Sequence, residues 1–305
     1  IALTNSQVAV GDVRGLMDEL RRLARTEGAE LGFDKPFRGT LLGIEVALLD
    51  VVSRALGVKI SELLGQRRAD VSISISTIST ATDRTRLERI LNRQAKFPMT
   101  RVKGTGDIAR DLALLREVAA INEAAQRAKP LWIDTNEGMS PQGTKDFIDQ
   151  LIAEMVEGSL PSSVILEQPV KKELGDLLPS FQDYADDACQ AASEDRKFRI
   201  QIMADESVWD ADDVRALVEL GGVGALNFKI PKAGGLIATI DAAEAALAAD
   251  PNVLLGIGGM LGTSDLTAFA LHNVGRAMPK LDFFTAVPPG NVESRIATHR
   301  AAYVK

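Results

Sequence analysis

The sequence predicts an α/β protein built mainly on a (β/α)8-type barrel, in the modified (β/α)7β form. From Val71 onward, apolar runs of strand length alternate with longer amphipathic segments, as in parallel strands joined by helical crossovers. Eight such units follow one another without a glycine-rich phosphate-binding turn, which favours a closed barrel over an open doubly wound sheet. A chain of 305 residues can hold one barrel of about 250 residues and a smaller element.

The residues before Val71 predict a mostly helical element. Apolar residues recur there at helical spacing, and Asp12 is placed to cap the first helix. This element has the character of a partial lid or cap on the barrel. Its expected segments are a strand at 1–10, helices at 12–26 and 40–56, and a helical turn at 60–65.

The barrel half is predicted to contain eight strands and seven helices. The strands are expected at 71–78, 99–103, 131–136, 164–170, 200–206, 225–231, 253–260 and 282–286. The helices between them are expected at 84–94, 108–127, 141–156, 172–192, 211–220, 236–249 and 264–277. The carboxyl ends of such strands meet at one rim, where barrel enzymes carry their catalytic groups.

Charged residues end five of these strands, although parallel strands buried on both faces should be apolar throughout. Arg101 and Lys103 share one face of the second strand, because strand side chains alternate with a period of two. Any single charged end could cap a helix or face solvent, but the whole set predicts a functional site at the rim. The other charged ends are Asp134, Glu167, Asp205, Lys229 and Lys232.

Three of these ends, Asp134, Glu167 and Asp205, are carboxylates on consecutive strands. Carboxylates that meet at one rim repel one another unless a cation lies between them. Oxygen ligands suit Mg²⁺ or Mn²⁺, whereas zinc favours histidine or cysteine. The sequence therefore predicts a hard divalent cation, Mg²⁺ first and Mn²⁺ second, at these three residues.

Two lysines flank the carboxylates, Lys103 on the strand before them and Lys229 on the strand after them. The second and sixth strands are nearly opposite in a barrel, so the lysines are expected to face each other across a bound substrate. A lysine can act as a general base when burial and neighbouring cations lower its pKa. We expect Arg101, Lys232 and the metal to lower the pKa of the two lysines.

The strand ends resemble the enolase superfamily, in its muconate lactonising enzyme-like branch. The matching stretches are 101–103, 134–136, 167–169, 205–207 and 229–235, and the helix at 43–50 matches as well. The resemblance implies Mg²⁺ held by Asp134, Glu167 and Asp205, with Lys103 and Lys229 as the acid/base pair. It also implies roles in substrate binding or electrostatics for Arg101, Asn136, Glu206 and Lys232.

The resemblance also sets the expected domains. Residues 1–68 are expected to form a partial capping domain without its N-terminal sheet, 69–290 the catalytic barrel, and 291–305 a C-terminal helix returning toward the cap. Two residues depart from the family pattern: Arg101 stands where the branch often has lysine, and Gly262 where it usually has glutamate. Arginine keeps the charge but does not shuttle protons.

The composition of the chain limits the classes of molecule that it is expected to bind. The net charge is −7 and there is no run of basic residues, so nucleic acid and anionic membranes are not expected partners. No apolar run approaches the roughly 18 residues of a membrane helix, so no membrane-spanning helix is expected either. The single cysteine forms no intrachain disulfide, which suits the cytoplasm. The expected partner is a small-molecule carboxylate, and the resemblance implies a homo-oligomer.

The leading hypothesis is Mg²⁺-dependent removal of a proton α to a carboxylate through an enediolate. A lysine on each face favours a racemase or epimerase of a small carboxylic acid or amino-acid derivative. A cycloisomerase ranks second and an acid dehydratase third. A barrel glycosidase using two carboxylates is disfavoured by the lysine pair and by an aromatic content of 5%. A non-catalytic binding barrel is disfavoured by the complete set of motifs.

Overall fold

Eight parallel strands form one curled sheet in which strand order follows the sequence from β1 to β8. The computed structural model describes residues 10–71, 77–78, 83–127, 129–193, 198–260 and 264–285. The predicted fold class is confirmed. The strands are β1 (Thr77–Ile78), β2 (Thr100–Lys103), β3 (Leu131–Asp134), β4 (Ser163–Glu167), β5 (Arg199–Ala204), β6 (Ala225–Phe228), β7 (Leu254–Ile257) and β8 (Phe283–Phe284).

Helices connect the strands on the outside of the sheet. Before it lie α1 (Val10–Glu30), α2 (Arg38–Leu56) and α3 (Ile60–Leu63). The crossover helices are α4 (Arg84–Arg93), α5 (Ile108–Ala124), α6 (Pro141–Glu157), α7 (Leu178–Ala192), α8 (Ala211–Glu219), α9 (Ile230–Ala233), α10 (Leu236–Ala249) and α11 (Asp265–Ala277). In the described part of the chain, no helix is both long and apolar enough to cross a membrane.

Three local predictions need correction. The first helix begins at Val10, so Asp12 lies inside its first turn and does not cap it. The single helix expected at 172–192 is divided into a 3-10 helix, Lys172–Leu177, and α7. Pro179 explains the division, because proline lacks an N–H and is accommodated in the first turn of a new helix. Strands β5 and β6 end before Asp205 and Lys229, which therefore stand just past the strand ends.

Several predicted features lie outside the described residues. They are residues 1–9 of the strand expected at 1–10, residues 72–76 of the strand expected at 71–78, the C-terminal helix at 291–305, and Gly262.

A buried cluster fills the interior of the curled sheet below the carboxyl ends of the strands. Trp132, Ile165, Met203, Ala225 and Phe283 point inward from five strands and are at most 1% exposed. The rings of Trp132 and Phe283 meet edge to face, with their centroids 4.8 Å apart. This apolar layer lies directly below the polar residues of the rim.

The helices before the sheet are fastened to the barrel by Glu45 of α2, a fully buried carboxylate. Glu45 Oε1 accepts a hydrogen bond from the Ile237 N–H at 3.0 Å and another from the Leu236 N–H at the start of α10. Glu45 Oε2 is ion-paired to Arg21 of α1 at 2.6 Å. Burial raises the pKa of Glu45 despite these partners. The contact holds α1 and α2 against the Gly234–Gly235 turn that follows Lys232.

Candidate active site

The predicted site residues meet at the carboxyl ends of β2 to β6. Lys103 pairs in register with Asp134, and Asp134 pairs in turn with Glu167 on the next strand. Asp205 follows β5 directly and Lys229 follows β6. Going round the rim, the order is therefore lysine, three carboxylates, lysine, as predicted.

Arg101 lies between two of the carboxylates. Its Nε donates to Glu167 Oε2 at 3.0 Å, and its Nη2 donates to the same oxygen at 2.6 Å and also to Asp134 Oδ2. The guanidinium carbon stands 4.7 Å from the centroid of the Trp132 ring, a cation–π contact. Trp132 Nε1 donates to Glu167 Oε2 as well, at 2.8 Å.

Lys103 is the more accessible of the two predicted catalytic lysines. Its side chain is 36% exposed, and its Nζ contacts Asp134 Oδ2. The same Nζ donates to Asn136 Oδ1 at 2.9 Å. The Asn136 backbone N–H donates to Asp134 Oδ1 at 2.9 Å and stands at a positive φ of 48°, which asparagine tolerates better than most residues. Asn136 therefore holds both Lys103 and Asp134 in place.

Asp205 is shared by the two cations on the other side of the rim. Lys229 Nζ lies 2.5 Å from Asp205 Oδ2, and Lys232 Nζ lies 2.7 Å from Asp205 Oδ1. Lys232 is 7% exposed because α9 turns its side chain inward, so it is a buried member of the site.

Asn227, two residues before Lys229, links two carboxylates. Its Nδ2 donates to Glu167 Oε1 at 2.9 Å and to Asp205 Oδ2 at 3.1 Å. The residue is 1% exposed, and its Oδ1 is buried without a hydrogen-bond partner. A methyl group at Gly258 would lie 2.7 Å from that oxygen, so only glycine leaves room for the amide.

The carboxylates differ in their electrostatics. Burial, reinforced by Asp134 and Asp205, raises the pKa of Glu167 well above its usual range, although Arg101 opposes the change. Burial also acts to raise the pKa of Asp205, but the ammonium groups of Lys232 and Lys229 outweigh it and hold that pKa below its usual range. The pKa values of these two neighbouring carboxyl groups are thus shifted in opposite directions.

The two lysines that contact Asp205 have pKa values shifted in opposite directions. Burial lowers the pKa of Lys232. Burial also acts to lower the pKa of Lys229, but the ion pair with Asp205 outweighs it, so this pKa is raised. The expectation was wrong for Lys229 because its nearest neighbour is an anion.

Glu206 and Ser207 connect the rim to a cleft of about 930 Å³. Burial, followed by the charge of Asp205, raises the pKa of Glu206, and its Oε2 is buried without a partner. Phe33 and Phe37, from the connection between α1 and α2, also line this cleft. Of the predicted site residues, Glu206 lines this cleft, whereas the three carboxylates and the two lysines of the rim do not.

Sequence reasoning missed Trp132 and Asn227, which stand one layer below Asp134 and Lys229. Both lie two residues before a predicted site residue, and the period of two along a strand places them on the same inward face. A polar side chain inside a buried strand was the available signal for Asn227.

The carboxylate oxygens of Asp134, Glu167 and Asp205 are the type of ligand that a hard divalent cation such as Mg²⁺ prefers. Asp134 and Glu167 already share the cation Arg101, and Glu167 and Asp205 already share the single atom Asn227 Nδ2. Among the described side chains, no group of three or more acidic, histidine or cysteine residues is arranged around an open metal position. Arg101, Lys103, Lys229 and Lys232 are ion-paired to oxygens of these carboxylates.

Sequence comparison finds relatives of this chain among known proteins. The family model described as "Enolase C-terminal domain-like" matches residues 84–303. An L-amino acid-D/L-Glu epimerase of Francisella philomiragia is 31% identical over 68% of this chain and 53% of its own length. A muconate cycloisomerase 1-2 of Acinetobacter lwoffii is 27% identical over 72% of this chain and 52% of its own. The chain thus spans about half the length of these curated relatives.

A solved structure shows the same fold. The dipeptide epimerase from Methylococcus capsulatus, complexed with Mg ion, superposes with a TM-score of 0.67 at 22% identity, covering 92% of this chain and 73% of that one. The resemblance to the muconate lactonising enzyme-like branch is confirmed by these matches. Because the family model covers most of the chain, this protein belongs to the enolase C-terminal domain-like family of the enolase superfamily.

Proposed function

We propose that this protein is an isomerase that removes and returns a proton α to a carboxylate, acting as an epimerase of amino-acid derivatives. The observation that carries the proposal is the position of Lys103 and Lys229 on opposite flanks of three buried carboxylates. Two basic groups on opposite sides of one bound substrate can exchange a proton at either face of its α-carbon. Glycoside hydrolysis uses a pair of carboxyl groups, and its mechanism gives no role to two opposed ammonium groups.

Asp134, Glu167 and Asp205 are the residues that would hold Mg²⁺, which supplies positive charge to the substrate carboxylate when the α-proton leaves. Arg101 and Lys232 remain buried beside these carboxylates and add fixed positive charge at the same rim. Glu206 and Asn136 border the substrate space. The cleft beside Glu206 accommodates the part of the substrate beyond its α-carbon.

Lys103 and Lys229 move the proton at the substrate α-carbon. Each carries a flexible stem and a single ammonium group, so each can swing from its carboxylate partner toward the substrate. Lys229 acts as a base only after it leaves its ion pair with Asp205, because that pair raises its pKa. Lys103, with an exposed side chain, is the freer of the two.

The substrate class follows from the relatives and remains part of the proposal. The epimerase of Francisella philomiragia acts, by its name, on an L-amino acid joined to glutamate. A dipeptide is therefore the first substrate to test, and muconate is the second because of the cycloisomerase relative.

The helices α1 to α3 are proposed to serve as a partial capping domain beside the site.

The test is deuterium incorporation at the α-carbon in D₂O with Mg²⁺, followed by NMR and mass spectrometry. Dipeptides ending in glutamate and in hydrophobic residues, each supplied as separate L- and D-epimers, and cis,cis-muconate, are the substrates. We expect exchange into a dipeptide, a loss of at least about 100-fold from one of its two epimers in Lys229→Met, since proton transfer contributes about 10²–10⁴-fold, and unchanged exchange in Lys280→Met. Lys280 is the matched control because it pairs with Asp282 away from the rim.

Conversion of muconate without dipeptide exchange would replace the epimerase by a cycloisomerase. Exchange that persists from both epimers in Lys229→Met would remove the proposed role of that lysine.

A further inference from the structure

Arg101 is the most firmly held cation of the rim. Its guanidinium makes two hydrogen bonds to Glu167 Oε2, at 2.6 and 3.0 Å, and a third to Asp134 Oδ2. The Trp132 ring covers it, and its side chain is 11% exposed. One positive charge is thus shared between two of the three carboxylates that would hold the metal.

Arg101 differs in this respect from the two proposed catalytic lysines. Lys103 is 36% exposed and Lys229 is 16% exposed, and each contacts only one carboxylate of the set. A lysine can leave by rotating its stem, whereas a planar guanidinium bound through several N–H groups and covered by an indole has no comparable route. When a cation enters the site, the lysines can yield their positions and Arg101 cannot.

We propose that Arg101 is a permanent positive charge inside the metal site and sets a low affinity for the divalent cation by sharing Asp134 and Glu167 with it. The inference rests on the proposed metal site. A guanidinium and a metal ion that share a carboxylate stand a few ångströms apart, where like charges repel even at an effective dielectric constant of about 20. Removing the charge of Arg101 therefore tightens metal binding, although it removes contacts from the two carboxylates.

The experiment is calorimetric titration of the purified protein with MgCl₂ and with MnCl₂, without substrate. Arg101→Met and Arg101→Gln remove the charge, and Arg101→Lys keeps it. Arg101→Gln provides a second neutral variant that can still donate to Glu167, in case Arg101→Met does not fold. Arg116→Met is the control, because Arg116 is paired with Glu154 on the outer helices. Circular dichroism checks that each variant is folded.

We expect the neutral variants to bind Mg²⁺ at least about tenfold more tightly than the wild type, since even one pair of neighbouring like charges is worth more than a kcal/mol. Arg101→Lys and Arg116→Met are expected to stay near the wild-type affinity. The inference is overturned if the folded neutral variants bind no more tightly, or if Arg101→Lys tightens binding as much as they do, because shape and not charge would then be responsible. Failure of every protein to bind either metal would overturn the proposed metal site together with this inference.

Discussion

Asn227 provides the sharpest prediction about how the site is built, because one buried amide connects two carboxylates. Asn227→Leu keeps a side chain of similar size and removes both hydrogen bonds, to Glu167 at 2.9 Å and to Asp205 at 3.1 Å. A hydrogen bond to a charged group contributes about 1.5–3 kcal/mol. Two of them, partly offset by the burial of the leucine, give an expected loss of about 3 kcal/mol in the free energy of unfolding.

The matched control for this change is Asn122→Leu. Asn122 is 4% exposed, and its side chain makes one long hydrogen bond, of 3.4 Å, to the neutral hydroxyl of Thr100. Such a bond contributes at most about 1 kcal/mol. Urea unfolding followed by circular dichroism measures both variants. If Asn227→Leu costs no more than Asn122→Leu, the amide does not hold the carboxylates together and the reasoning is wrong.

Three further predictions concern stability. Burial, followed by the charge of Arg276, lowers the pKa of His272 from 6.5, so protonation of His272 is less favourable in the native state than in the unfolded state. The free energy of unfolding should therefore fall as the pH drops below 6.5. His272→Gln should weaken that fall, as measured by thermal melts at different pH values. Burial raises the pKa of Glu45 from 4.5, so its contribution is lost as the pH rises from 4.5 through the raised value, and Glu45→Gln should flatten the profile there. A methyl at Gly256 would lie 1.6 Å from the Phe283 ring, so Gly256→Ala should cost about 1–3 kcal/mol in urea unfolding, whereas Gly43→Ala, with no atom within 4 Å, should cost nothing. Unchanged pH profiles or equal glycine costs would contradict these predictions.

The fold and the meeting of the charged strand ends at one rim could be predicted from the sequence. Charged residues at the ends of buried strands contradict the apolar pattern of such strands, and the period of two identifies which of them share a face. Lys103, Asp134 and Glu167 accordingly lie side by side in register.

The inner layer and the partners of each charge could not be predicted in the same way. Trp132 has the ordinary character of a core residue, and its hydrogen bond to Glu167 depends on where the indole N–H points inside the barrel. The raised pKa of Lys229 depends on its 2.5 Å contact with Asp205, which the spacing of residues along the chain does not reveal. The pairing of each cation with a carboxylate depends on the positions and lengths of the side chains in the folded protein, so it cannot be derived from the sequence.

The most direct test of the two-base account uses the separate L- and D-epimers of an exchanging dipeptide in D₂O with Mg²⁺. Lys103→Met and Lys229→Met are compared for the rate at which each epimer acquires deuterium at its α-carbon. We predict that each variant loses exchange from one epimer and retains it from the other, in opposite senses, because the lysines stand on opposite flanks of the carboxylates. Loss of exchange from the same epimer in both variants would contradict it.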